Sequence, residues 1–192
     1  MNTPLVKVFT GIRRCGKSVM LELVQAELQQ QGVHQARMLA LNFESGVDER
    51  VRTQDAARRA VHELARDAGN QRVYLFFDEI QELAGWETLI NSLVVDLDVD
   101  IYLTGSNAHM LSGELATYLA GRYVELRMYP FSFAEVLALL AERNVEISTE
   151  QAFALYLMRG GLPFLYNYEF TDADAKQYIS DIFDSTILKD IA

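Results

Sequence analysis

Gly11-Ile-Arg-Arg-Cys-Gly-Lys17-Ser18 decides the reading of this chain, because it matches G-x-x-x-x-G-K-[ST] in the context that the pattern requires. Residues 5–10 ahead of it form a short apolar, β-rich run that reads as a buried strand. Residues 17–31 behind it carry Val19, Leu21, Leu23, Val24 and Leu28 at spacings that suit a helix, with Gly32 as its C-terminal cap. Glycines let such a loop curl until successive N–H groups point inward at a helix N-terminus, which makes a nest for anions. Lys17 would bring an ammonium to the β- and γ-phosphates of a nucleotide, and the Ser18 hydroxyl would ligate Mg²⁺. The whole run Gly11, Ile12, Arg13, Arg14, Cys15, Gly16, Lys17, Ser18 and Val19 is therefore the expected phosphate-binding segment. Cys15 reads as a small residue that fits the loop. Arg13 and Arg14 either add positive potential near the phosphates or point into solvent.

Outward from the loop, strands alternate with helices. Strands are expected at 37–43, 73–77, 101–104 and 123–128. Helices are expected from a Thr53 cap through Ala68, and at 86–97 and 114–120. This alternation predicts βαβ units and a parallel sheet. After Pro130 the pattern changes. Ser132-Phe-Ala-Glu135 and Ser148-Thr-Glu-Gln151 are capping boxes that open apolar helical patterns, and 171–192 adds another helical stretch. The predicted organisation is an α/β nucleotide-binding core over 1–130, with five parallel strands flanked by helices, followed by a small helical lid subdomain over 131–192.

Tyr74-Leu-Phe-Phe-Asp78-Glu79 sets two carboxylates just beyond an apolar strand, where open α/β sheets bind ligands. Asp78 is placed to hold the metal shell. Glu79 is placed to polarise a water for attack on the γ-phosphate. The alternative is a pair of solvated carboxylates in a turn.

The chain has 192 residues, a net charge of −10, and 50% hydrophobic residues, enough for a sizeable core. One cysteine excludes a disulfide framework, and His34, His62 and His109 lack ligand spacing. With no long apolar run and no signal-peptide pattern, the expectation is a cytoplasmic protein without a membrane partner. Residues 1–72 hold 11 Lys+Arg against 8 Asp+Glu, and the remainder holds 6 against 19. That acidic balance disfavours nucleic acid as a partner. The arginine-rich stretch at Arg50, Arg52, Arg58, Arg59, Arg66 and Arg72 reads as a solvated helical face.

GIRRCGKS, FFDEIQELAGWE, LTGSN, LAGRYVELRMYPFSFAEVL and GGLP, in this order and spacing, resemble a family of prokaryotic AAA+-type ATPases. The resemblance runs from Leu5 to the end of the chain. It implies an ATPase using ATP and Mg²⁺, with Gly11–Ser18 as Walker A and Asp78 and Glu79 as Walker B acid and base. It gives Asn42 the role of holding the catalytic glutamate, although Asn42 also suits strand-end backbone groups. Ser106 or Asn107 takes the sensor-1 position or a turn with Gly105. Arg122 takes the arginine-finger position, which implies a homo-oligomer, or pairs with an acid such as Glu125. Gly160, Gly161 and Pro163 resemble the element by which a lid approaches the nucleotide, or break a helix. In that family the AAA domain usually precedes a C-terminal domain of unknown function with restriction-endonuclease-like character. Here only four residues precede the first strand, and the chain stops within the helical stretch TILKDIA, so it reads as a fragment.

Three functions follow. The first is Mg-ATP hydrolysis that moves the lid. The second is a nucleotide-dependent interaction module that binds ATP but barely hydrolyses it. The third is a P-loop GTPase or kinase. A GTPase is disfavoured because the chain has no N-K-x-D and no D-x-x-G. A kinase is disfavoured by Glu79, a water-activating base beside the γ-phosphate.

Overall fold

The computed structural model describes Thr3 and residues 5–69, 71–105, 119, 121–167 and 170–190, with side chains through residue 184. Five strands form one sheet in the order β2-β3-β4-β1-β5, and every pairing is parallel. They are β1 (Val6–Thr10), β2 (Met38–Asn42), β3 (Val73–Asp78), β4 (Val99–Gly105) and β5 (Tyr123–Arg127). Among the described residues three α-helices lie between consecutive strands: α1 (Lys17–Gln30), α2 (Gln54–Asp67) and α3 (Trp86–Asp96). The five expected strands are present with ends shifted by one or two residues. The largest change is at β4, which begins at Val99 because Asp100, read from the sequence as preceding the strand, is buried within it. The expected helix over 114–120 lies, apart from Leu119, outside the described residues.

Strand alternation splits the side chains between the two faces of the sheet. Val8, Leu75, Phe77, Ile101 and Leu103 pack one face against Ala57 and Val61 of α2 and Leu89, Ile90 and Leu93 of α3. On the other face Phe76 stacks on Tyr102 at 5.1 Å, and α1 buries Leu21, Val24 and Leu28. This second face also carries a buried polar group near the start of β1. Lys7 donates to Asp100 and, at 2.9 Å, to the Thr3 carbonyl, while the Tyr102 hydroxyl donates to Asp100 at 3.1 Å. Burial, then the Asp100 charge, pushes the Tyr102 hydroxyl far above its usual range. A cation at 5% exposure is tolerable there because its partners are in place.

The chain divides into two compact units, Met1–Thr10 with Lys17–Arg127, and Gly11–Gly16 with Met128–Ala192. In the second, α4 (Phe133–Glu142) and α5 (Thr149–Arg159) both open with complete capping boxes. Helices α6 (Phe164–Asn167) and α7 (Asp172–Asp190) complete it. Val136, Leu140, Ala152, Leu165, Tyr166 and Ala175 form its core. Gly160 caps α5 with φ 68°, and the Tyr166 hydroxyl donates to its carbonyl at 2.6 Å. Gly161 accepts from Phe131 N at 2.7 Å, and a Cβ there would meet the Phe131 carbonyl oxygen at 2.0 Å. The pair therefore forms a tight backbone junction as well as ending a helix. Pro163 leads into α6, where its carbonyl accepts from Tyr166 N.

Candidate functional site

The carboxyl end of β3 and the first turn of α1 meet at one place. Ser18 Oγ donates to Asp78 Oδ1 at 3.0 Å. Lys17 Nζ, 4% exposed, stands 3.6 Å from Glu79 Oε1. The four residues read from the two motifs are thus brought together across 60 positions of sequence by the placement of α1 against β3 and β4. Their oxygen donors, one hydroxyl and one carboxylate, suit Mg²⁺, which takes few protein ligands and completes its octahedron with water and phosphate. Among the described residues no cluster of three or more acidic, histidine or cysteine side chains offers a protein-only metal cage. A cleft of about 220 Å³ opens beside Ser18 and Asp78, lined also by Ala40, Asn42 and Phe76.

Thr104, fully buried at the end of β4, ties the two acids together. Its hydroxyl donates to Asp78 Oδ1 and accepts from Glu79 N at 2.9 Å. Glu79 has φ 50° and ψ 50°, a left-handed conformation that a residue with a Cβ adopts at a cost of roughly 1–2 kcal/mol. That kink ends β3 and starts the short 3₁₀ turn Ile80–Glu82, anchored by the fully buried Ile80. It also brings Gln81 back toward Glu79, and Gln81 Nε2 donates to Glu79 Oε2 at 2.6 Å. Sequence reasoning passed over both residues. A threonine ending the apolar run Ile-Tyr-Leu was the available signal for Thr104. Gln81 left none beyond its nearness to Glu79.

The phosphate loop has the backbone its motif calls for. Gly11, Arg14 and Gly16 have φ of 151°, 67° and 104°. A Cβ at Gly11 would meet the Met128 carbonyl oxygen at 2.4 Å. Cys15 is 3% exposed, and its N–H closes a turn onto the Ile12 carbonyl at 3.3 Å. Ile12 and Val19 are exposed, Arg13 is half-buried, and Arg14 is exposed. The Arg14 charge acts on Tyr178, whose hydroxyl is raised by burial and lowered in part by that guanidinium.

Asn42 stands opposite Asp78 in the β2–β3 register, and its Oδ1 accepts from Glu44 N at 2.9 Å. The carboxylate of Glu79 is met by Gln81 and Lys17, not by Asn42. Arg122 precedes β5 and is exposed. Its carbonyl accepts from Val6 N at 2.8 Å, and its Nη1 donates to Asn91 at 3.2 Å. Glu125, its alternative acidic partner, instead accepts from Thr10 Oγ1 at 2.6 Å. Val6 starts β1 and Thr10 ends it, so Arg122 lies at the opposite end of the sheet from Asp78 and Glu79. At about 3.3 Å per strand residue that separation is more than 13 Å. Ser106 and Asn107, the sensor-1 candidates, lie outside the described residues.

Comparison with known proteins agrees with this fold. An uncharacterized protein of Haemophilus influenzae is 40% identical over 195 positions, covering 100% of this chain and 47% of that protein. The chain thus spans about half the length of this curated relative. Among solved structures, AMPPCP-bound DnaA from Aquifex aeolicus superposes with a TM-score of 0.57 at 15% identity, covering 98% of this chain and 58% of that one. The Aeropyrum pernix ORC1 protein in complex with DNA gives 0.51 at 16% identity, covering 76% and 44%. At these identities the structural likeness concerns the fold alone. The ORC1 likeness lends no support to the expectation that nucleic acid is not a partner. Among the described residues no helix is long and apolar enough to cross a membrane. A family model described as an AAA domain matches residues 3–137, more than two thirds of the chain, and with the five-stranded parallel sheet behind it the protein belongs to the AAA domain family.

Proposed function

We propose that this protein binds Mg-ATP through Gly11–Ser18 and hydrolyses it to ADP and phosphate. The observation that carries the reading is the convergence of Lys17 and Ser18 on Glu79 and Asp78 at 3.6 and 3.0 Å. In this reading Lys17 transfers its ammonium from Glu79 to the terminal phosphates when they arrive. Asp78 and Ser18 hold Mg²⁺, which when bound neutralises charge developing on the transferred phosphoryl group. Glu79 accepts a proton from water while the water oxygen bonds to the γ-phosphorus. The bond to the β–γ bridging oxygen breaks, and its electron pair leaves with ADP. The nucleotide state moves the helical segment 131–192 or a partner, such as the C-terminal domain of a longer parent protein.

Nucleotide calorimetry with ATP and GTP, joined to a phosphate-release assay, tests the proposal. Lys17→Ala is expected to abolish detectable ATP binding. Glu79→Gln is expected to bind ATP and lose about 10²-fold or more in turnover, as loss of a general base does. ATP affinity unchanged in Lys17→Ala refutes the loop assignment, and turnover within a few-fold of the parent in Glu79→Gln refutes the base. A second reading, a module that binds ATP with little hydrolysis, is favoured by one observation: both carboxylate oxygens of Glu79 are engaged, one by Lys17 and one by Gln81. It predicts tight binding with no phosphate release above background.

A further inference from the structure

The carboxamide of Gln81 has one satisfied end and one unsatisfied end. Nε2 donates to Glu79 Oε2 at 2.6 Å, a short bond that leaves this oxygen fixed. Oε1 is buried and has no hydrogen-bond partner among the described residues. A buried amide oxygen without a donor is costly, roughly 1–3 kcal/mol, and sites that keep one usually have a use for it. The two residues converge because Glu79 is locked in the left-handed region, with its N–H held by Thr104 and its carbonyl accepting from Glu82 N at 3.1 Å. Asn42, the other polar side chain nearby with an amide, has its oxygen committed to Glu44 N.

From this geometry we infer that Gln81 is a positioning residue for hydrolysis, holding Glu79 by one carboxylate oxygen. The inference rests on the reading of Glu79 as the base. With Oε2 fixed by Gln81, the oxygen that faces Lys17 is the one left for the water once Lys17 turns to phosphate. Removing the amide leaves the nucleotide contacts intact but lets the carboxylate swing. The defect therefore belongs to the chemical step and not to ATP binding.

The test uses Gln81→Met, which keeps the length and flexibility of the side chain without its polar atoms, and Gln81→Glu, which keeps an acceptor but repels Glu79. Single-turnover hydrolysis and the affinity for a non-hydrolysable ATP analogue are measured for the parent, both variants, Glu79→Gln and the double variant Glu79→Gln/Gln81→Met. Expected are a loss of about tenfold or more in the rate of both Gln81 variants, within the span general-base catalysis commands, and analogue affinity within about threefold of the parent. The double variant should be no slower than Glu79→Gln alone, because one group acts through the other. Rates within twofold of the parent in Gln81→Met, or an affinity loss as large as the rate loss, overturn the inference while leaving the base assignment standing. A Glu79→Gln rate equal to the parent's overturns both. A parent that releases no phosphate overturns both the inference and the hydrolytic reading on which it rests.

Discussion

Thr104→Val separates what the hydroxyl does from what the side-chain volume does. The residue is fully buried, so valine fills the same space and the core of β4 stays packed. What disappears is one acceptor and one donor. Glu79 N, held at 2.9 Å in a left-handed residue, is left without its partner, and such an orphaned group costs about 1–3 kcal/mol. Asp78 Oδ1 loses the threonine hydroxyl but keeps Ser18 Oγ at 3.0 Å, and a bond to a charged acceptor is worth about 1.5–3 kcal/mol. The two losses share one turn and are not additive, so the sum is near 2–4 kcal/mol. For a chain of this size that lowers the melting temperature by about 5–15 °C. Calorimetric melting of Thr104→Val and Thr104→Ser beside the parent checks it, with ATP turnover measured on all three. Serine keeps the hydroxyl and should recover most of the turnover despite the lost methyl. If valine and serine behave alike in turnover, the hydroxyl does not position the acids, and the reasoning fails.

Asp78→Ala should remove most of the Mg²⁺ dependence of ATP binding, read by calorimetry with and without the metal; an equal Mg²⁺ response in variant and parent argues against the metal role. Gly161→Ala should destabilise the segment that begins at Met128, because its Cβ meets a backbone oxygen at 2.0 Å that no rotamer can clear; chemical denaturation should show a loss of about 1–3 kcal/mol, as for overpacking elsewhere. Ser132→Ala tests the α4 cap. Hydrogen bonds from the Ser132 backbone N–H and then its hydroxyl hold the Glu135 carboxyl below its usual range, so this contribution to stability is present above the unfolded carboxyl pKa and fades as pH falls through the folded one. The variant keeps the backbone donor only, and an NMR titration should show the Glu135 pKa moved part of the way back up. Arg122→Ala should bind ATP normally and fail to hydrolyse it if a neighbouring subunit supplies the finger; a mixture with Glu79→Gln should then regain activity, and a mixture that stays inactive refutes a role in trans.

The parts of this protein that were legible in its sequence are those whose physics is local. A glycine-bearing loop between an apolar strand and an amphipathic helix is written in consecutive residues, as are the boxes at Ser132 and Ser148, whose partners lie three positions on. The acids at Asp78 and Glu79 were visible because a strand end in an open sheet is a ligand position wherever it occurs. The rest depended on groups brought together by pairing of distant strands. Lys7 sits in a run that reads as apolar, and its charge is balanced by Asp100, 93 positions away. Thr104 reaches Asp78 only because β4 lies beside β3.

Asn42 and Gln81 show why residue type alone could not choose between candidates for the group holding Glu79. Asparagine at a strand end has a competing acceptor role toward a backbone N–H two residues ahead, and a short side chain reaches that N–H with little loss of freedom. Here the local bond is the one made, at 2.9 Å. Gln81 has the opposite balance. Its longer side chain suits a local backbone bond less well, and the left-handed turn at Glu79 carries the carboxylate to it. The conformation of a single residue, φ 50° at a position where nothing in the residue type announces it, thus selects which amide meets the acid. Thr104 supplies the acceptor that helps hold that conformation, so the buried hydroxyl on β4 and the amide in the 3₁₀ turn act on Glu79 as one arrangement.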